Sequence, residues 1–109
     1  MPPMASRGEL EHRVMVLLWG AKRPLSVADV QEMLAPQREL AYTTVMTVLD
    51  RLAKKGLASR HRVGRSWRYE AAEPQAVVLA RELGEVVAGL PEPVLAETLR
   101  LFNVSLQRP

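Results

Sequence analysis

Cysteine is absent from this 109-residue chain. Its absence excludes disulfides, thiolate metal sites and a cysteine nucleophile, and it fits a reducing compartment. Aromatic residues are scarce, with one Phe, two Trp and two Tyr, so core volume has to come mainly from Leu, Val, Ala and Met. The longest apolar run, residues 14–19, falls far short of the roughly 20 residues a bilayer span needs. The opening MPPMASRGE lacks the apolar stretch of a secretory signal, so the cytoplasm is the expected location. Catalytic and metal-binding signatures are missing as well. His12 and His61 fall on different elements, and Glu9, Glu11 and His12 read as an exposed helix face. No Gly-rich phosphate loop, nucleophile elbow or metal-binding helix motif occurs. We therefore expect no enzyme, no metal site and no cofactor.

One further absence is local. Residues 51–69 contain no acid but seven bases: Arg51, Lys54, Lys55, Arg60, Arg62, Arg65 and Arg68. The whole chain carries only +3, because the remainder holds eight bases against twelve acids. Positive charge gathered in one block is what a polyanion-binding surface requires.

What is present is periodic. Leu10, Val14, Leu17 and Leu18 predict a helix over residues 9–19, which Gly20 can end and Pro24 keeps from extending. Ser26 and Asp29 form a capping-box variant at the start of a second helix, residues 27–34, with Val27, Val30, Met33 and Leu34 inward. A third helix is expected from about Thr43 to Gly56, with a threonine hydroxyl as its cap. Residues 57–62 and 66–70 read as two short strands joined by Val63, Gly64 and Arg65, with Trp67 and Tyr69 on one face and Arg68 on the other. Two more helices follow. Residues 77–90 carry Leu79, Leu83, Val86 and Leu90, and residues 94–106 carry Leu95, Leu99, Phe102 and Leu106. The fold class expected is α+β, mainly helical with one small hairpin. It would be a winged helix-turn-helix over residues 1–72 and a helical dimerisation region over residues 73–109.

The third helix carries the functional signal. On a helical wheel Val45, Val48, Leu49 and Leu52 share the core stripe. Thr43, Thr47, Asp50 and Lys54 fall opposite, and Thr44 and Met46 flank the stripe. Small hydroxyls and a flexible apolar side chain on an exposed helix start suit the major groove. A threonine can bond a base or phosphate there, and its methyl can touch a thymine methyl. Arg62, Gly64 and Arg65 would give the hairpin a cationic tip able to follow a phosphate backbone or enter a minor groove.

The stretches LAYTTVMTVLDRLAKKGL and RVGRSWRYEA, with GELEHRVMVLLW and SVADVQEML before them, closely resemble the penicillinase-repressor family of bacterial regulators, the BlaI/MecI/CopY type. The resemblance runs over about residues 8–70. It implies a transcriptional repressor that binds double-stranded, dyad-symmetric operator DNA as a homodimer and blocks polymerase. By position it implies DNA contact by Ala41, Tyr42, Thr43, Thr44, Met46 and Thr47, and backbone contact around Arg62, Arg65 and Arg68. Arg51 joins that DNA-binding set. Family members are also released by an inducing partner such as a sensor protease. Here Phe102-Asn103 reverses the Asn-Phe order of some family cleavage sites, so no cleavage site is carried over. The cysteine hook of the copper-responsive branch is excluded by composition.

Dimerisation has support of its own. The two seams, Leu79, Leu83, Val86, Leu90 and Leu95, Leu99, Phe102, Leu106, bury little alone, whereas a two-fold partner could cover both. The segment from Glu70 onward holds six acids against three bases, so it is expected away from DNA. The competing reading is a winged-helix protein-interaction module without sequence-specific DNA binding.

Overall fold

The computed structural model describes residues 5–107. The elements run α1 (Ala5–Gly20), α2 (Val27–Leu34), α3 (Tyr42–Lys54), β1 (Ala58–Val63), β2 (Ser66–Ala71), α4 (Gln75–Val87) and α5 (Glu92–Ser105). The order is that of a winged helix followed by two helices. The chain divides into two compact units, residues 1–75 and 76–109.

In the first unit, α1, α2, α3 and the hairpin close on one core. Val14 and Leu18 of α1 meet Val30 and Leu34 of α2, and Val45, Leu49 and Leu52 of α3, with Leu25, Ala58 and Tyr69 completing the cluster. Burying each such aliphatic side chain contributes about 1.5–3 kcal/mol. α1 starts a turn earlier than its apolar spacing predicted. Met33 is exposed rather than inward, because the eight-residue α2 turns only the stripe of Val27, Val30 and Leu34 towards the core.

The ends of these helices follow local chemistry. The Asp29 amide donates to Ser26 Oγ at 3.0 Å and the Ser26 amide donates to Asp29 Oδ2 at 2.9 Å, which closes the capping box at α2. α3 ends in a Schellman arrangement. Gly56 takes φ +81°, its amide reaches the Ala53 carbonyl, and the Leu57 amide reaches the Leu52 carbonyl.

β1 and β2 pair antiparallel with Val63 opposite Ser66. The turn is therefore two residues, Gly64 and Arg65, rather than the expected three. Gly64 takes φ +64° at the first central position, as a type II′ hairpin demands. One pairing had no local signal. Leu25, between α1 and α2, bridges to Tyr69 through two backbone hydrogen bonds of 2.8 and 2.7 Å. That bridge pins the hairpin to the helical core.

In the second unit α4 and α5 scarcely touch each other. Pro91 caps α5 and a proline occupies its first turn, where a missing N–H costs nothing. Among the described residues, no helix is long and apolar enough to cross a membrane.

Candidate nucleic-acid interface

Residues 41–44, at the start of α3, are all exposed. Ala41 is the N-cap, in extended conformation, and makes no side-chain cap bond. This corrects the expectation that a threonine hydroxyl caps the helix: Thr43 sits at the second helical position. The amides of Tyr42 and Thr43 consequently have no protein partner among the described residues. Such bare amides at a helix start favour an anion. The approach to this start is held by Gln31, whose Nε2 donates to the Leu40 carbonyl at 2.9 Å.

Tyr42, Thr43, Thr44, Met46 and Thr47 are all exposed, while Val45, Val48, Leu49 and Leu52 are buried. The wheel reading of the core stripe therefore stands. Thr47, however, is not an idle hydroxyl. Its Oγ1 donates to the Thr43 carbonyl at 2.9 Å, which leaves its lone pairs and methyl for anything outside.

The hairpin is tied to α3 by a polar relay. Asp50 Oδ1 accepts from the Tyr69 hydroxyl at 2.7 Å and from Arg60 Nη1 at 3.0 Å. Tyr69 is only 1% exposed. Burial first, and the bond to Asp50 second, push its phenol above the ordinary value of 10.0, so the hydroxyl stays a donor. Arg60 lies 4.1 Å and Arg62 5.3 Å from the Trp67 ring centroid, a cation–π arrangement. Across the ladder Arg60 faces Tyr69 and Arg62 faces Trp67. Arg62 therefore stands on the strand over Trp67, not at the tip where the sequence placed it. The tip belongs to Gly64 and Arg65.

The basic block is partly neutralised by acids from other elements. Lys55 pairs with Glu11 at 2.7 Å, Arg60 with Asp50 at 3.0 Å, and Arg68 approaches Asp29 at 3.9 Å. Asp29 also pairs with Arg23 at 3.0 Å. The Ser26 amide first, and Arg23 second, hold the Asp29 carboxyl down to about 2. Arg51, Lys54, Arg62 and Arg65 have no carboxylate partner among the described residues. Of these, Arg51 shares a cleft with Thr43, Thr44 and Thr47, and Arg65 one with Tyr42 and Met46, whereas Lys54 lies in the last turn of α3. Arg68 lines the cleft that holds Tyr42, Met46 and Arg65, with Asp29 at 3.9 Å. No group of three His, Asp or Glu able to hold a metal occurs among the described residues.

Residues 7–104 match the penicillinase repressor family. The chain belongs to that family. The penicillinase repressor match extends well past residue 70, so the two C-terminal helices belong to the resemblance too. Over 97 residues the chain is 45% identical to the transcriptional regulator BlaI of Mycobacterium tuberculosis, covering 89% of this chain and 64% of that protein. It thus spans about two-thirds, 64%, of the length of the relatives it matches. Among solved structures it is similar to BlaI from Bacillus licheniformis, in monomeric form in complex with the blaP half-operator. That likeness has 27% identity and TM-score 0.50, and covers 61% of this chain and 79% of that one. It is similar as well to the ferric uptake regulator of Pseudomonas aeruginosa with manganese, at 27% identity and TM-score 0.51, covering 58% of this chain and 49% of that one.

The predicted α3 residues Ala41, Tyr42, Thr43, Thr44, Met46 and Thr47 are all exposed, and Arg51 shares a cleft with Thr43, Thr44 and Thr47 on the side of Leu10 and Glu11 of α1. In the second unit Leu79, Leu83, Val86, Leu90, Leu99, Phe102 and Leu106 are exposed, and Leu95 is half-buried. Sequence reading missed a second apolar face on α5, made by Val94, Leu101 and Val104, all exposed. Their spacings of seven and three carried the signal, but the stronger seam masked it. It also missed the Asp50, Arg60 and Tyr69 relay, for which no local pattern exists.

Proposed function

We propose that this chain is a DNA-binding transcriptional repressor that reads a dyad-symmetric operator as a homodimer, with α3 in the major groove and the hairpin along the backbone. The observation that carries the reading is the open start of α3. Two amides without a protein partner among the described residues and five exposed side chains without charge stand there, and Arg65 of the hairpin lines a cleft with Tyr42 and Met46. Amides and cations give affinity for phosphate, and the side chains give contact with base edges. The similar BlaI, solved on a half-operator, supports the same use of this fold. The exposed apolar seams of α4 and α5 support a second copy as their cover. Such a reader works where the chromosome is, which places it in the cytoplasm. An inducing partner, a sensor protease among them, belongs to the same proposal without a site assigned on this chain.

The test is a fluorescence-anisotropy titration across several salt concentrations. It compares the duplex upstream of the protein's own gene with a shuffled duplex. Tight, salt-sensitive binding to the native duplex is expected. Arg65→Ala should weaken both duplexes alike and flatten the salt slope by about one unit. Equal binding to both duplexes by the unaltered protein would reject a sequence-specific operator reader. No binding to either would favour a protein-interaction module.

A further inference from the structure

The chemistry of the exposed α3 surface goes further and says which bases it is able to read, an inference that rests on the operator reading above. Over the first two turns the exposed side chains are Tyr42, Thr43, Thr44, Met46 and Thr47. None is a carboxamide or a cation. The two-point contacts that select guanine through Arg or Lys, and adenine through Asn or Gln, have no side chain there to make them. A hydroxyl offers one-point bonds that several bases satisfy. Thr47 is narrower still, because its hydroxyl proton is committed to the Thr43 carbonyl at 2.9 Å. Asp50, next along the face, is turned to the hairpin by Tyr69 and Arg60. Lys54 stands seven residues beyond Thr47, about 10 Å along the axis. A helix that enters the groove by its N-terminus has risen towards the backbone by then.

What remains for discrimination is apolar. Met46 is 37% exposed. Together with Tyr42 and Trp67 it lines a cleft of about 560 Å³ between α3 and the hairpin, whose rim also carries Arg60, Arg65 and Arg68 for the phosphate backbone. Thr47 adds a methyl on the outward face. In the major groove the apolar group that base pairs present is the 5-methyl of thymine.

We propose that α3 selects its half-site chiefly through thymine 5-methyl groups, packed against Met46 and the Thr47 methyl with Tyr42 beside them. Guanine and adenine are then not read by two-point hydrogen bonds, and the half-site is specified by where its thymines stand.

The experiment begins with duplexes selected from a random pool by the full chain. Each thymine of the selected half-site is then replaced by deoxyuridine, which removes the methyl and nothing else, and Kd is measured by anisotropy. Two or three positions should lose about fourfold each, the worth of one buried methyl. In parallel, 7-deazaguanine at each guanine should leave Kd unchanged. Thr47→Ser keeps the hydroxyl and its bond to Thr43 but deletes the methyl. With that variant, thymine and uracil should bind alike at one position where the unaltered protein tells them apart. Met46→Ala should do the same at another. A fully uracil-substituted duplex bound as tightly as its thymine parent overturns the proposal while leaving specific DNA binding intact. So does a loss on 7-deazaguanine, which would point to Arg51 or Lys54 reading guanine. If selection enriches no sequence at all, the operator reading itself fails, and the methyl code with it.

Discussion

The two units of this chain use the same apolar residue types at similar helical spacing and end in opposite states. In residues 5–75 Val14, Val30, Val45, Leu49 and Leu52 are closed from solvent. In residues 76–107 Leu83 is 54% and Val86 77% exposed, and Val78 is the one buried side chain that α4 and α5 contain. The first unit has three helices and a hairpin to fold against one another. The second has helices of 13 and 14 residues, lengths that are marginal in water without packing. Periodicity therefore tells which face of a helix is to be covered, and nothing about whether the cover comes from the same chain.

Substitutions in both units sharpen or break that contrast. Leu49→Ala should have the largest effect on stability. It should cost about 2–5 kcal/mol in chemical denaturation, because the vacated core volume cannot refill. A cost below about 1 kcal/mol would mean that the first unit is not the closed one.

Asp50→Ala comes next, at about 1–3 kcal/mol, since it strands the buried Tyr69 hydroxyl. Adding Tyr69→Phe in the same chain should recover much of that loss. If the double variant is no better than the single one, Asp50 does not act through Tyr69.

Ser26→Ala should cost about 1 kcal/mol through the lost α2 cap. The neighbouring Asp29 has a pH signature. Its folded value of about 2 lies below the ordinary 3.8, so the stabilisation is full above pH ~4 and disappears as pH falls towards 2. Asp29→Asn should remove that part of the acid slope, and an unchanged slope would mean the carboxyl is not held down.

Leu83→Ser combined with Leu99→Ser should have the smallest effect on the dilute chain, under about 0.5 kcal/mol in thermal unfolding. The same pair should abolish any concentration dependence of sedimentation or of helical circular dichroism. If unaltered protein shows no such dependence at any concentration, the apolar faces of the second unit are not covered by a second copy.

Much of the fold was legible because it rests on short-range chemistry. The α2 capping box, the α3 core stripe and the glycine stop at Gly56 each follow from residues within a turn or two. Several of the failures cross the chain. Lys55 meets Glu11 at a separation of 44 residues, so a window of bases that reads as wholly positive is partly balanced in space. Leu25 bridges to Tyr69 by backbone alone, which leaves no mark in side-chain pattern. The wheel placed Asp50 outward correctly, but a wheel cannot know that β1 and β2 fold over that side. The candidate surface was legible at Thr43 and Thr47, whose exposure follows from the stripe opposite them, while Thr44 and Met46 flank that stripe and are exposed as well. Arg62 was misplaced because the turn proved one residue shorter than assumed.

Helices α2 and α3 also begin differently. α2 is finished by its own serine and aspartate, whereas α3 starts at an alanine that cannot finish it. Ala41→Ser or Ala41→Asp would supply the missing oxygen and stabilise the free protein by about 1 kcal/mol. The same oxygen would occupy the amides that a phosphate needs, and an aspartate would repel it. A selection for heat resistance alone should therefore enrich changes at residue 41 and return a hardier protein whose α3 start no longer holds an anion.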